Sequence, residues 1–540
     1  MVQRLCGRKE CGSVYRITQL KVPLNYDEAE LPSKIAAYLK VPEKSILSWR
    51  YHKKSVDARK KDRVGFVLSV DVELKPGTKC KTESVKVEKY VFPTALQQMN
   101  NKRPIVVGSG PAGLFAALTL AHAGLKPIVL ERGRQVEQRI QDVESFMKTG
   151  ILQPESNIQF GEGGAGTFSD GKLTTGTKDI RIQAVLQEFY EAGAAESILY
   201  DAKPHIGTDV LRRILVNLRQ KIIGLGGEFL FETKLTDIVV ECGHVVGIKV
   251  QKRDGTTVEL PADNLILAVG HSARDTFEML LKKGFSMCQK PFAMGFRVEH
   301  LQSFMNESQY GVFANHPALG AADYKLFTHL KNGRGVYTFC MCPGGYVVPA
   351  ASEEGMLCVN GMSTYARDGK NANSAVLVSV VPEDLQSEHP LAGVALQRQV
   401  EKRAYELGGG GYVAPVQLVE DFLAGRKTTA LNEVEPTYSI GTAFADLSSI
   451  FPNIMTEALR EGLVNMNSMI AGFTKQGAVL TGAEARSSSP VRIIRDAVTM
   501  QSNIAGVYPC GEGAGYAGGI MTAAVDGIKA AEAVVKMSKI

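Results

Sequence analysis

Residues 105–117 read IVVGSGPAGLFAA, and this stretch restricts the fold more tightly than any other in the chain. The run PIVV has the continuous apolar character of a buried strand. The spacing predicts a helix over 111–124 and a second buried strand in KPIVLER, residues 126–132. Between first strand and helix, Gly108, Gly110 and Gly113 take the G-x-G-x-x-G spacing, with Pro111 and Ala112 inside it. The first glycine allows a tight turn, the second lets backbone approach a pyrophosphate, and the third lets helix pack on strand. The helix start offers unpaired N–H groups and the positive end of the helix dipole to the diphosphate. Glu131 ends the second strand, with Arg132 beside it, where an acid would accept the hydroxyls of an adenosine ribose. Strand, turn, helix and acid in register read as the opening βαβ unit of a dinucleotide-binding fold; a purely structural glycine turn is the alternative.

At 540 residues the chain is too long for one core. No apolar run reaches the roughly 18–20 residues of a membrane span, and the N-terminus has no signal-peptide core. Nine cysteines without framework spacing read as reduced thiols of a cytoplasmic protein. Three domains are expected: a basic α+β module at 1–95, a discontinuous dinucleotide domain at 96–274 and 491–540, and an inserted α+β domain at 275–490. A linker is expected at 92–104. Helices are expected at 27–40, at 208–225 with Thr208 or Asp209 as cap, and over 394–424, the last broken by four glycines at 408–411. Residues 228–260 read as a strand followed by a short antiparallel meander.

A second glycine-rich turn lies near the other end, in VYPCGEGAGYAGGIMTAA. Gly511 and Glu512 follow a strand, and Gly518 and Gly519 precede a helix begun by Ile520 and Met521. This pattern resembles the C-terminal flavin motif of the glutathione-reductase-like FAD superfamily, with glutamate where that superfamily usually has aspartate. LILAVGHSAR, carrying Ala268 and Gly270, resembles an internal strand of the same superfamily. The resemblance implies an α/β fold with a Rossmann-like FAD-binding domain, and FAD as the dinucleotide. It also implies that Glu512 faces the ribityl chain and that the final helix points its positive end at the flavin pyrimidine edge. The stretches KPFAMGFRVEH, FCMCPGGYVVPA, NANSAV and EARSSSPVRIIRD resemble one bacterial family within it, FAD-dependent dehydrogenases or oxidoreductases of undefined substrate.

Among residues able to do chemistry, the loop FGEGGAGTFSDGKL lies where relatives run past the flavin ring. Gly163, Gly164, Ala165, Gly166 and Thr167 are its expected cofactor contacts, with Leu235 a further one. Lys172 is a candidate stabiliser of reduced flavin. Arg297 is a candidate anchor for an anionic substrate, and it shares a strand face with Glu299, opposite His300. Arg486 and His271 are weaker candidates. Cys340 and Cys342, two apart on an expected strand, fall on one face; pocket lining, thiolate chemistry and metal ligation are all open to them, Cys342 being carried as a catalytic candidate. No histidine cluster points to a metal. No second G-x-G-x-x-G marks a domain for NAD(P)H, so that donor would dock only transiently.

Residues 1–100 hold 20 Lys and Arg against 11 Asp and Glu, and the rest of the chain is nearly neutral. Lys53, Lys54, Arg59, Lys60, Lys61 and Arg63 follow Trp49 and Tyr51, a mixture able to bind nucleic acid. Asp57 and Asp62 interrupt the run, which reads first as a solvated face or an intramolecular dock. The expected function is flavin-dependent hydride transfer to or from a small molecule. An RNA-modifying flavoenzyme and a non-catalytic flavin-binding protein are the alternatives.

Overall fold

The computed structural model describes residues 13–94 and 102–537. The first twelve residues, read above for a signal peptide, and residues 95–101 of the expected linker lie outside them.

A five-stranded parallel sheet runs in the order Val507–Pro509, Leu265–Leu267, Ile105–Val107, Ile128–Leu130, Glu228–Leu230. Its central strands are covered on both faces, which explains their unbroken apolar runs. The helix Pro111–His122 is buried from Ala112 to Ala121. It crosses the helix Ile520–Met537 at backbone contact: a Cβ on Gly527 would lie 2.0 Å from the Ala112 carbonyl oxygen. A Cβ on Gly113 would lie 1.8 Å from the Gly108 carbonyl oxygen, so the third glycine of the motif is a packing requirement. Residues 228–260 form a short strand, then the antiparallel strands Thr233–Glu241, His244–Lys252 and Thr257–Pro261.

The second large sheet has seven strands, in the order Phe327–His329, Gly335–Cys342, Asn371–Val380, Phe292–Leu301, Val479–Glu484, Ala414–Leu418, Thr442–Phe444. Met294, Phe296 and Val298 face the helix Asn453–Met469 across an apolar core. Arg297 and Glu299 point to the other face and are fully buried there. Two expectations are corrected. The region 394–424 is a helix, Ala392–Leu407, then a strand at 414–418 and a short helix, Val419–Ala424; the glycines at 408–411 turn the chain into a strand between them. The helix Thr208–Gly224 has Gly207 at its cap position with no side-chain cap, because the Thr208 hydroxyl donates instead to the Thr167 carbonyl.

The N-terminal strands Val14–Pro23, Ile46–Asp57 and Gly65–Leu74 form an antiparallel sheet covered by the helix Leu31–Leu39. It docks on the rest of the chain through backbone: Lys54 N–H donates to the Tyr200 carbonyl and Ala202 N–H to the Lys54 carbonyl, each at 2.8 Å. Lys53, Arg59, Lys60, Lys61 and Arg63 stay exposed, with Arg59 paired to Asp57 at 2.7 Å. Among the described residues, no helix is long and apolar enough to cross a membrane.

The helix crossing gives a direct test. Gly527→Ala should lower stability by about 3 kcal/mol or more, because backbone rather than a movable side chain fills the space. Gly224→Ala, with open space around it at the end of a helix, should be neutral or stabilising by up to about 1 kcal/mol. Denaturant melts of both variants check this.

Candidate active site

The carboxyl ends of the parallel strands open into a cavity of about 760 Å³. Its far wall comes from the seven-stranded sheet, through Thr338, Phe339, Cys340, Met341 and Glu484, with Asn360 beside them. A crevice at the carboxyl ends of parallel strands is where doubly wound folds bind ligands.

The floor is the glycine turn. Gly110 occupies the cap position of Pro111–His122 and gives the helix no side-chain cap, so its first N–H groups are left for a ligand. Glu131 organises this turn with four hydrogen bonds. One carboxylate oxygen accepts from the Ser109 N–H and hydroxyl, at 3.0 and 2.7 Å; the other accepts from the Gly133 and Gly161 N–H groups, at 2.9 and 3.1 Å. Ser109 Oγ is the only side-chain donor of the four. Arg132, in the cavity wall, is spent on Glu155 and Asp275 and lies over the Phe160 ring.

One organiser of the site had no signal in the sequence reading. Arg139, buried on the helix Val136–Thr149, sends its guanidinium into the loop at 157–168. It donates to the carbonyls of Asn157, Ile158, Gly161, Glu162 and Gly164 and to the Thr167 hydroxyl, at 2.6–3.2 Å. Burial lowers its pKa to about 10, which still leaves it charged at neutral pH. Only its place on the buried face of that helix hinted at it.

Of the residues expected to hold the cofactor, the cavity brings together Gly108, Gly110, Pro111, Ala112, Glu131, Arg132, Gly164, Ala165, Gly166 and Lys172. It adds Leu235, Ala268, Gly270, Glu512, Gly518, Gly519, Ile520 and Met521. It does not reach Gly113, Gly163, Thr167 or Gly511. Gly113 packs on Gly108, Gly163 on Leu215, and Gly511 on Ala112, while the Thr167 hydroxyl is bound by Arg139. Arg297 and Cys342 are likewise behind the wall. Arg297, fully buried, pairs with Glu484 at 2.8 Å and donates to Asn373, which leaves it no face toward a substrate. The expected common face of Cys340 and Cys342 is broken by a bulge between Phe339 and Cys342, which puts Cys340 in the cavity and buries Cys342.

Lys172 donates to the Met341 carbonyl and sits 3.9 Å from Asp170, itself paired with Arg367 at 2.5 Å. Burial pushes Glu512 up to about 7, Lys290 only partly opposing it. His271 hydrogen-bonds Ser272 at 3.1 Å; burial, then Arg486 and Arg274, lower its pKa to about 3, so it is neutral. Arg486 and Arg274 are both taken up by the buried Glu401, each with a bond of 2.6–2.7 Å. Among the described residues no group of three or more His, Cys, Asp or Glu could hold a metal ion.

The cavity fits a flavin dinucleotide. A Cβ on Gly270, Gly518 or Gly519 would meet nothing within 4 Å, so the wall is left open at those glycines. At Gly164, with φ +61°, a Cβ would lie 3.1 Å from Gly110 Cα, where the loop closes over the turn. Fold and site together define a flavoprotein of glutathione-reductase-like architecture.

Three family models match in succession: a domain of unknown function over residues 15–73, pyridine nucleotide-disulphide oxidoreductase over 102–287, and FAD-dependent protein, C-terminal domain-like, over 291–487. An uncharacterized protein of Clostridium beijerinckii is 47% identical over 535 residues, covering 96% of this chain and 98% of its own. The chain belongs to that protein's family, one of FAD-dependent oxidoreductases. Among solved structures, the quinol fumarate reductase of E. coli is similar at 13% identity, over 82% of this chain and 71% of that one, with a TM-score of 0.38. A flavoprotein/dehydrogenase of Cytophaga hutchinsonii is similar at 11% identity over 81% and 79%, with a TM-score of 0.36.

Replacing Arg139 by Met takes a donor from five loop carbonyls, of which Gly161 keeps the Gly164 N–H and Glu162 the Thr167 hydroxyl. The variant should lose about 3–5 kcal/mol of stability and purify with little flavin. Thermal melts and the absorbance of the purified protein check both.

Proposed function

We propose that this protein is a dehydrogenase-type flavoenzyme that moves a hydride between FAD and a small molecule held against it by the seven-stranded sheet. The observation that carries this reading is the shared cavity. The glycine turn and the start of the final helix line one side of it, and Thr338–Met341 with Glu484 lines the other. A purely structural cofactor would not need a wall from a second sheet standing open beside it.

FAD, when bound, supplies the two-electron hydride chemistry. The chain's own residues do the rest. The free N–H groups at the start of Pro111–His122 would hold the pyrophosphate, and Glu131 would orient the ribose. The start of Ile520–Met537 and the Lys172 side chain line the cavity and would supply positive potential to a bound flavin, favouring its reduced state. Glu512, titrating near neutral pH, can hold or release a proton beside the cofactor at its carboxylate. His271, neutral through the physiological range, serves as wall and hydrogen-bond partner and takes up no second proton. The substrate is a small molecule, and NADH or NADPH would reach the flavin only by transient docking.

The purified protein should release FAD on denaturation, and its flavin band should bleach on anaerobic addition of NADH, NADPH or an oxidisable substrate. A bound flavin that no two-electron donor bleaches would overturn the dehydrogenase reading. Gly164→Val places branched carbons against Gly110 at a left-handed φ. That variant should fold, as read by far-UV circular dichroism, and purify without flavin; full flavin occupancy in it would refute the cofactor placement.

A further inference from the structure

Hydride transfer leaves one feature of the cavity wall unused. The strand Gly335–Cys342 pairs with Asn371–Val380 as far as Phe339 opposite Ala375, then loses register until Cys342 opposite Asn373. In this bulge Cys340 takes φ +43°, a left-handed conformation that residues with a Cβ seldom adopt. Strained backbone of this kind concentrates at functional sites. Here it puts one thiol into the cavity and keeps its partner, two residues on, buried directly behind.

Arg297 braces the bulge. Its guanidinium donates to the Cys340 carbonyl at 2.5 Å and to Cys342 Sγ at 3.3 Å, while Glu484 holds its other side. Lys172 reaches the same turn from the glycine loop, through the Met341 carbonyl. The charged and titratable groups around Cys340 are therefore Lys172 and Asp170 from the loop, Arg297 and Glu484 from neighbouring strands, Glu512 from the flavin side, and Cys342. The Cys342 thiol donates to the Cys340 carbonyl at 3.3 Å, and the neighbouring Cys342, Arg297 and Lys172 together hold the Cys340 thiol below the ordinary thiol range against the cost of burial. Burial, together with the neighbouring Cys340, pushes Cys342 well above an ordinary thiol. Of the two sulfurs, Cys340, in the cavity wall beside Arg297 and Lys172, is the more readily ionised and the one a substrate can reach.

We propose that Cys340 and Cys342 form a dithiol–disulfide pair that reduces an organic disulfide admitted to the cavity. The Cys340 thiolate bonds to one substrate sulfur, the substrate S–S bond breaks, and the departing thiolate takes a proton from solvent. Cys342 then gives up its proton, bonds to the Cys340 sulfur, and expels the second half of the substrate as a thiol. The substrate gains two electrons and two protons, and the pair loses them. Reduced FAD, held in the same cavity, would return both electrons to the disulfide; this recycling rests on the flavin reading above, whereas the exchange itself does not.

The test uses the full-length protein with its flavin content read from absorbance. After thiol reduction and desalting, iodoacetamide labelling from about pH 5 to about pH 9 is mapped by mass spectrometry. Labelling of Cys340 should level off near pH 7 and there exceed that of exposed Cys242 and Cys288 by roughly ten-fold. The aromatic disulfide dithiobis-nitrobenzoate should then leave a Cys340–Cys342 disulfide in the wild type. Cys342→Ser should stop at a mixed disulfide on Cys340, and Cys340→Ser should give neither. Anaerobic reduction of the disulfide-loaded, flavin-containing protein should consume about four electrons per chain, against about two for Cys340→Ser. An ordinary thiol profile for Cys340, or no disulfide, in flavin-loaded protein overturns the pair and leaves the flavin reading standing. Reactive Cys340 and a disulfide in protein that binds no flavin support the exchange and overturn the flavin reading instead.

Discussion

The site depends on a buried guanidinium. The loop at 157–168 lies against the glycine turn; Ile158 and Phe168 anchor its two ends in a small apolar cluster, and the glycines at 161, 163, 164 and 166 leave much of the stretch between to be held through backbone. Its carbonyls point inward with no strand to pair them, and buried carbonyls cost free energy unless a donor meets them. Arg139 meets five of them at once with a planar fork of donors, a geometry that lysine could not reproduce. Glu131 does the complementary work for N–H groups, taking those of Ser109, Gly133 and Gly161. One cation and one anion, both buried, turn irregular backbone into a rigid cradle.

A second buried ion pair, Arg297 with Glu484, plays a related part across the cavity. It lies on the face of the seven-stranded sheet away from the apolar core, with Glu484 at the cavity wall and Arg297 behind it, where Arg297 holds the bulge from which Cys340 emerges. Leaving either charge unpaired would be costly at that depth, so the two are better regarded as a brace than as a binding site. A third cluster, in which Glu401 takes both Arg274 and Arg486, ties the loop after the strand Leu265–Leu267 to the helix Ala392–Leu407 of the other sheet's region. The two walls are thereby fastened to each other close to the cavity.

Several of these features were legible in the sequence for a plain reason: local patterns report local requirements. The turn at 108–113 combines a tight backbone crossing with the start of a helix, and only glycine at fixed offsets satisfies both. The parallel strands announce themselves because they are covered on two sides and so are apolar throughout. The alternation of Arg297 and Glu299 against His300 is the period of a strand, and the structure keeps those residues on opposite faces. Where the chain departs from expectation, a distant partner is the cause. The cap of Thr208–Gly224 was lost because Thr208 is engaged by Thr167, forty-one residues earlier. The helix over 394–424 gave way to a strand because residues 414–418 are claimed by the neighbouring strand Val479–Glu484.

From the sequence alone came the family's FAD dependence, the two glycine-rich ends that line the cavity, and the acid between them, since each is a short-range demand on residue type. Tertiary structure alone decided which arginine shapes the site, that Arg297 faces inward and away from substrate, and that Cys340 and Cys342 part company across a bulge. The direction in which a buried side chain points depends on what packs against it from elsewhere in the chain, and spacing along one segment carries no record of that.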